Sequence, residues 1–405
     1  MRRMIKKVLY GFEHYFLFFV ISSIISIITG KGYIMSILFP CMTYMIVFTK
    51  CRRLKLTIFD VLFFIIFFVM ILSWILNSYS NKNILIFRCF MGECSYMAAY
   101  FIGKKYGFNI FSNIIENSYV ILIICNILGI IFFFKSPGAW YMSQNIELYD
   151  ELGYEGMVYE AMRMKSIFSS PYVLAYFNSI VIMYILSQLP NISEKKYWGY
   201  LVILLVGLLF CMMRAPFVCM LFGSLLLLYH NRKYVNLKII RYFIIGLLLL
   251  LILLYGGKML VNVDVLNFFD AKVQSVSHGL DVLVSERVNL YNFNYSLFGD
   301  GAGRHAIYVD DYNPRTSIRD SEYIRLLVEL GYIGIVIYVL FFVMLIVKCI
   351  KYFKYLSFDL CVIMFYFITM IGADSLSTPD KHSLLFWLVV GHVSVFPLKK
   401  NYDTD

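Results

Sequence analysis

Residues 201–230 read LVILLVGLLFCMMRAPFVCMLFGSLLLLYH, and one choice about this run fixes the fold: it is either one tilted helix or two short ones. As a single helix it would put nine Lys and Arg residues of the short downstream loops, at 232, 233, 238, 241, 348, 351, 354, 399 and 400, outside the cell. As a hairpin about Met213-Arg214-Ala215-Pro216 it keeps them inside, where short cytoplasmic loops concentrate positive charge. The hairpin is therefore the expectation. Two helices sharing so few residues are each about 16 residues, or 24 Å, long at ~1.5 Å per residue. Their turn then lies below the membrane surface, with Arg214 recessed in the outer leaflet and Pro216 starting the second helix, where its missing N–H costs nothing.

The rest of the chain has the same character. Its 405 residues are 61% hydrophobic, with a mean hydropathy of +0.75, and its apolar runs are long enough to cross a hydrocarbon core about 30 Å thick. Twelve spans are predicted, at 10–29, 33–49, 57–76, 84–102, 114–134, 172–188, 198–213, 216–230, 240–256, 323–347, 358–373 and 383–397. The expected fold is all-α: one polytopic integral membrane domain over 1–405 with about 12 transmembrane helices and two long extracytoplasmic loops, 135–171 and 257–322. The start MRRMIKK has the charged flank of a signal sequence but no small-residue cleavage site, so a retained first helix is expected. This arrangement puts 21 of the 36 basic residues in cytoplasmic segments, together with both termini. The net charge of +11 is thus accounted for by the membrane, and nucleic acid is excluded as a partner.

Nine cysteines, at 41, 51, 89, 94, 125, 211, 219, 349 and 361, lie in spans or cytoplasmic loops without CxxC spacing or a histidine cluster. Neither a disulfide framework nor a metal site is expected, and the cysteines read as small apolar fillers. Three acids in the spans, Glu13, Asp60 and Glu93, fall near or within cytoplasmic halves and are expected to face the bundle and pair with polar neighbours.

The chemistry concentrates in the second long loop. Its first half, DVLNFFDAKVQSVSHGLDVLV, has apolar residues near helical spacing and predicts an amphipathic helix along the membrane face. There follows SERVNLYNFNYSLFGDGAGRHAIYVDDYNPRTSIRDSEYIRLLVELGYIGI, residues 285–335, where Arg287, Arg304, Arg315, Arg319 and Arg325 alternate with Asp300, Asp310, Asp311, Asp320 and Glu322. A guanidinium offers a planar fork of donors that matches phosphate oxygens. Arg163, Arg214, Arg287, Arg304 and Arg319 on the outer side of a membrane therefore point to an anionic ligand at the lipid interface, such as a lipid-linked diphosphate. The turn with Gly299, Gly301 and Gly303 has the look of a phosphate loop, but no βαβ unit or P-loop lysine accompanies it; a tight turn letting backbone approach backbone or substrate is expected. Asp320-Ser321-Glu322 marks the re-entry into the membrane. Asp320 either caps the next helix, as Ser321 could instead, or acts as the base toward a sugar hydroxyl, with His305 as the alternative base.

Four patterns together resemble the O-antigen polymerase/ligase family, which includes the Wzy-type polymerases of O-antigen and capsular polysaccharide. They are RMKSIFSSP from Arg163, Arg214 in MRAPF, Arg287 ahead of SLFGDGAG, and Asp320-Ser321-Glu322-Tyr323 followed by LLVELGYIG. The resemblance implies a GT-C-like membrane fold in the bacterial cytoplasmic membrane and a metal-independent glycosyltransferase without cofactor. Its substrates would be undecaprenyl-diphosphate-linked oligosaccharides, with membrane lipids around it and a chain-length regulator and flippase as partners. It carries over Arg163, Arg214 and Arg287 as the arginines that hold the diphosphates; with Asp320 read as the base, the expected catalytic residues are Asp320, Arg287 and Arg214. The expected substrate-binding set is Arg163, Arg304, Arg319, Arg325, Glu322, Gly299, Gly301, Gly303 and His305. Ligases of the group usually carry a histidine where this chain has Asp320, which favours a polymerase. A ligase-type glycan transferase and a lipid-linked oligosaccharide flippase or other transporter are the alternatives.

Overall fold

The computed structural model describes residues 11–18, 20–21, 24, 43–48, 56–77, 93–94, 96–135, 164, 166–168, 171–191, 196–211, 213–233, 296–305, 321–371 and 383–397. Among them the fold is helical and contains no strand. Nine helices are named here: α1 (Ile58–Leu76), α2 (Ala99–Tyr106), α3 (Phe108–Lys135), α4 (Pro171–Ser187), α5 (Lys196–Cys211), α6 (Arg214–His230), α7 (Glu322–Lys351), α8 (Phe353–Thr369) and α9 (Ser383–Val395). Three segments, Ile58–Leu76, Phe108–Ile131 and Glu322–Lys351, are long and apolar enough to cross a membrane, and α4, α5, α6 and α9 contribute shorter apolar helices. The predicted span 240–256, the amphipathic helix after residue 263, the acidic part of the first long loop, most of span 33–49, part of span 10–29 and the first half of 84–102 lie outside the described residues.

The 201–230 run is two helices. α5 ends at Cys211 and α6 begins at Arg214, each close to the expected length. Pro216 is the third residue of α6 rather than its first. It is tolerated there because the first-turn N–H groups of a helix have no partner within it.

The chain forms two compact units, residues 1–118, 218–230 and 294–405 in the first, 119–217 and 231–293 in the second. In the first unit α1 and α7 run antiparallel. Phe59 near the start of α1 meets Phe341 at 6.4 Å between ring centroids, while Ser73 near its end donates to the Glu329 carbonyl at 2.6 Å. α8 returns alongside α7: the Glu322 N–H donates to the Met370 carbonyl at 3.0 Å and the Tyr323 hydroxyl to that of Phe367 at 2.7 Å. α9 packs on α2 with almost no gap, since a Cβ on Gly103 would overlap the Leu388 carbonyl and one on Gly391 the Tyr100 carbonyl. Small residues at a helix contact allow such an approach, which in lipid is a principal source of helix association. Trp387, 1% exposed, fills the centre against Phe63, Phe341 and Phe386.

In the second unit the Asn126 and Asn178 amides of α3 and α4 hydrogen-bond each other reciprocally, at 2.9 and 2.8 Å. Gly207 of α5 lies so close that a Cβ there would overlap the Asn126 side chain. Such amide pairs hold helices together where no water competes. The described cysteines 94, 125, 211, 219, 349 and 361 are all buried and free, as the reading of them as packing residues requires.

Candidate functional site: a glycine turn built into a broken helix

α7 opens with Ser321 as its cap, the hydroxyl accepting from the Ile324 N–H at 3.5 Å, so the capping role weighed for Asp320 or Ser321 belongs to Ser321. Nine residues further on the helix is interrupted. Gly331 sits at φ +72°, ψ −173°, a conformation that glycine adopts without steric cost. The break leaves carbonyls of the preceding turn without their usual donors four residues on. The N–H groups of Tyr332 and Ile333 instead bond the Ser296 and Leu297 carbonyls, each at 3.3 Å. The carbonyls of Val328 and Glu329 take the N–H groups of Asp300 (2.8 Å) and Gly301 (3.1 Å). The 296–305 turn is therefore stitched into the gap in α7, as buried backbone groups must be.

This explains the glycines. Gly299 has φ +71°, Gly301 +117° and Gly303 +81°. A Cβ on Gly299 would overlap the Glu329 backbone, and one on Gly331 would overlap the Leu297 carbonyl and stand 2.5 Å from the Gly299 nitrogen. Of the two approaches expected for GDGAG, to backbone or to substrate, the structure shows the first at Gly299, which admits the α7 backbone.

The turn is also held by a side chain. Glu329 Oε2 accepts from the Gly303 N–H at 3.0 Å and Oε1 from the His305 N–H at 2.7 Å. From the other side, Asn77 at the end of α1 donates to the Gly299 carbonyl at 3.1 Å. Behind Glu329 lies Arg325, whose Nη2 stands 2.5 Å from Glu93 Oε1, 3.8 Å from Glu329 Oε2 and 3.9 Å from Glu322 Oε1. All four side chains are buried, Arg325 completely. Enclosed charge requires a partner, and here one guanidinium is shared among three carboxylates.

Several expectations change. Arg325 and Glu322 were expected to bind substrate, but both are sealed inside the protein, and Arg325 is committed to acidic side chains. Glu93, expected near or within a cytoplasmic half, meets Arg325 at the Ser73–Glu329 end of the bundle, away from Asp60. Its pairing with a polar neighbour is as expected, and so are the contacts of Asp60 with Lys104 and of Glu13 Oε1, which accepts from Asn113 Nδ2 at 3.0 Å. Lys104, expected in a cytoplasmic loop, is buried in its pair with Asp60. His305 is 2% exposed, its Nε2 3.6 Å from Asp300 Oδ2, so the ring faces the turn rather than open solvent. Arg304 is half-buried and reaches the Asp300 carbonyl at 3.4 Å.

In the second unit, Arg214 is exposed at the first position of α6. The Met164 N–H donates to the Phe210 carbonyl at 3.0 Å, an acceptor left available because α5 stops one residue later. The Ser166 hydroxyl donates to the Cys125 carbonyl at 2.6 Å. The chain at Met164 and Ser166 is thereby fastened to the end of α5 and to α3, on the α5 side of the α5–α6 break. Arg163, Arg287, Arg319 and Asp320 themselves lie outside the described residues, as do Arg315, His278 and His382.

Glu329 is the residue that the sequence reading missed, although a signal was present. Glu322, Arg325 and Glu329 stand at i, i+3 and i+7, one face of a helix, in a segment otherwise apolar enough to span a bilayer. Three ionisable groups on one stripe of such a helix mark a buried network or a site. Comparison of the chain with protein-family models, with curated proteins and with solved structures gives no match.

Proposed function

We propose that the chain is a membrane-embedded glycosyltransferase that polymerises undecaprenyl-diphosphate-linked oligosaccharide repeat units on the outer face of the bacterial cytoplasmic membrane. The observation that carries the reading is the 299–305 turn. Asp300, Arg304 and His305 are mounted at one end of a bundle of apolar helices, in the middle of the most arginine-rich stretch of the chain. Arginines 163, 214, 287 and 319 would hold the diphosphates, and Asp320, next to the Ser321 cap, would accept the proton of the attacking sugar hydroxyl while the arginines stabilise the departing diphosphate. Metal ions and cofactors have no part in this mechanism. In this reading the Glu329 end of the first unit faces outward and the Asp60 end faces the cytoplasm.

The experiment is the length distribution of surface and carrier-linked glycan in a strain lacking the protein, with and without a copy supplied in trans. Isolated repeat units that become long chains on complementation support a polymerase. Long chains stranded on the carrier would make it a ligase, and repeat units trapped on the cytoplasmic side would make it a flippase. Supplying Arg287→Ala in place of the wild type should leave single repeat units, and Arg287→Lys should rescue poorly because a point charge lacks the fork.

A further inference from the structure

We propose that Glu329 is a positioning residue of the reaction: its buried carboxylate fixes the 299–305 turn and so the placement of Arg304 and Asp300, and Arg325 serves to hold that carboxylate rather than a ligand. The inference rests on the glycosyltransferase reading above.

The argument begins with acceptor geometry. Each oxygen of Glu329 receives a backbone N–H from the turn, Gly303 at one and His305 at the other. An ionised carboxylate presents acceptors on both oxygens, whereas an amide turns one of the two positions into a donor. Glutamine in this place would set its NH2 against one of the N–H groups, and it would also face the Arg325 guanidinium, 3.8 Å away. Water is no substitute, because Glu329 is 1% exposed and Ala302 of the turn is fully buried. A solvent-poor site makes each of these bonds matter more than at a surface.

Arg325 completes the device. Its closest partner is Glu93, and its position on α7 one turn before Glu329 places positive charge behind the carboxylate that grips the turn. The side chains that face Glu329 come from three elements, Arg325 and Glu322 from α7 itself, Glu93 from the segment before α2, and the turn. Asp300 is the group that reaches solvent, its side chain one-third exposed beside the His305 ring. A turn tied at Gly299 by Asn77, at Asp300 and Gly301 by α7 carbonyls, and at Gly303 and His305 by Glu329 has one of these supports supplied by a titratable side chain, and that support is Glu329.

The test uses the full chain in lipid nanodiscs, with lipid-linked repeat units extracted from the host as substrate. Wild type, Glu329→Gln and Asn77→Ala are compared by hydrogen exchange of residues 296–305 and by steady-state kinetics. Glu329→Gln should speed exchange in the turn about tenfold, the effect of losing a buried hydrogen bond, with α8 and α9 unchanged. It should lower kcat by about tenfold with KM altered by less than about twofold, the pattern of a transition-state defect. Unchanged exchange overturns the proposal. So does a loosened turn with wild-type kcat, or a rise in KM alone, which would make the turn a binding element only. If Glu329→Gln does not fold, Asn77→Ala decides: it releases the same turn through the Gly299 carbonyl and should lower kcat about threefold, and wild-type kcat with a loosened turn overturns the proposal. A wild-type protein that fails to extend the repeat units would sink the glycosyltransferase reading instead, while the exchange measurement, which uses no substrate, would still report on Glu329.

Discussion

The two ends of the first unit bury charge in opposite ways. At one end Asp60 and Lys104 form a one-to-one pair, both about 1% exposed, and the carboxylate is fully occupied: Tyr100 donates to Oδ1 at 2.7 Å, and Thr57 and Lys104 serve Oδ2. At the other end Arg325 faces three carboxylates, and one of them reaches past it to grip a loop. The first arrangement is complete within the helices it joins, so its effect is confined to fastening α1 to α2. The second couples a buried ion cluster to the backbone of a charged turn, so a change in the cluster is felt where Asp300 meets solvent.

Removing Arg325 should have the largest effect. Arg325→Met leaves Glu93, Glu322 and Glu329 around no cation, and stability should fall by about 3–5 kcal/mol, the usual result of stranding buried charge; the fraction folded after heating in detergent measures it. Adding Glu93→Gln should recover part of the stability but none of the proposed polymerising activity. Wild-type activity in the double variant would erase the distinction between the two ends.

Asp60→Ala should cost nearly as much, about 3 kcal/mol, by leaving Lys104 alone in the core. Here the paired replacement Asp60→Leu with Lys104→Met should return to within about 1 kcal/mol of wild type and keep full glycan output. An inactive but stable double variant would show that this end also serves the chemistry.

Gly331→Ala tests the break in α7. At φ +72° and with the Leu297 carbonyl in the way of a Cβ, alanine should cost about 2 kcal/mol, and polymerisation should fall more than the loss of folded protein explains. The mildest change is Ser321→Ala, about 1 kcal/mol for a lost cap, with activity retained per folded molecule; a large loss of activity would mean that Ser321 does more than begin the helix.

Much of the fold was legible because apolar length and loop charge are local properties. The runs at 57–76, 114–134, 172–188, 198–213, 216–230, 323–347, 358–373 and 383–397 all fall on observed helices, and the break in 201–230 follows from counting basic residues in short loops. The glycines of GDGAG were legible as a tight turn. The roles of Arg325 and Glu322 were not, because a guanidinium beside a polar loop reads the same in sequence whether it faces a ligand or a carboxylate. What distinguishes the two is Glu93, more than 200 residues away in the chain, and no local pattern connects it to Arg325.

The sequence by itself determined that this is a helical protein rich in long apolar segments, roughly where many of its helices lie, and where its charged residues are gathered, since hydropathy, capping and charge bias act over a few residues. Only the tertiary structure decided which charges belong to the site and which hold it in place. Burial and pairing are set by what long-range packing brings within about 4 Å, the range at which charges in a low-dielectric interior bind one another strongly. By that measure Arg325 and Glu322, both buried, move from the ligand's side of the turn to the protein's.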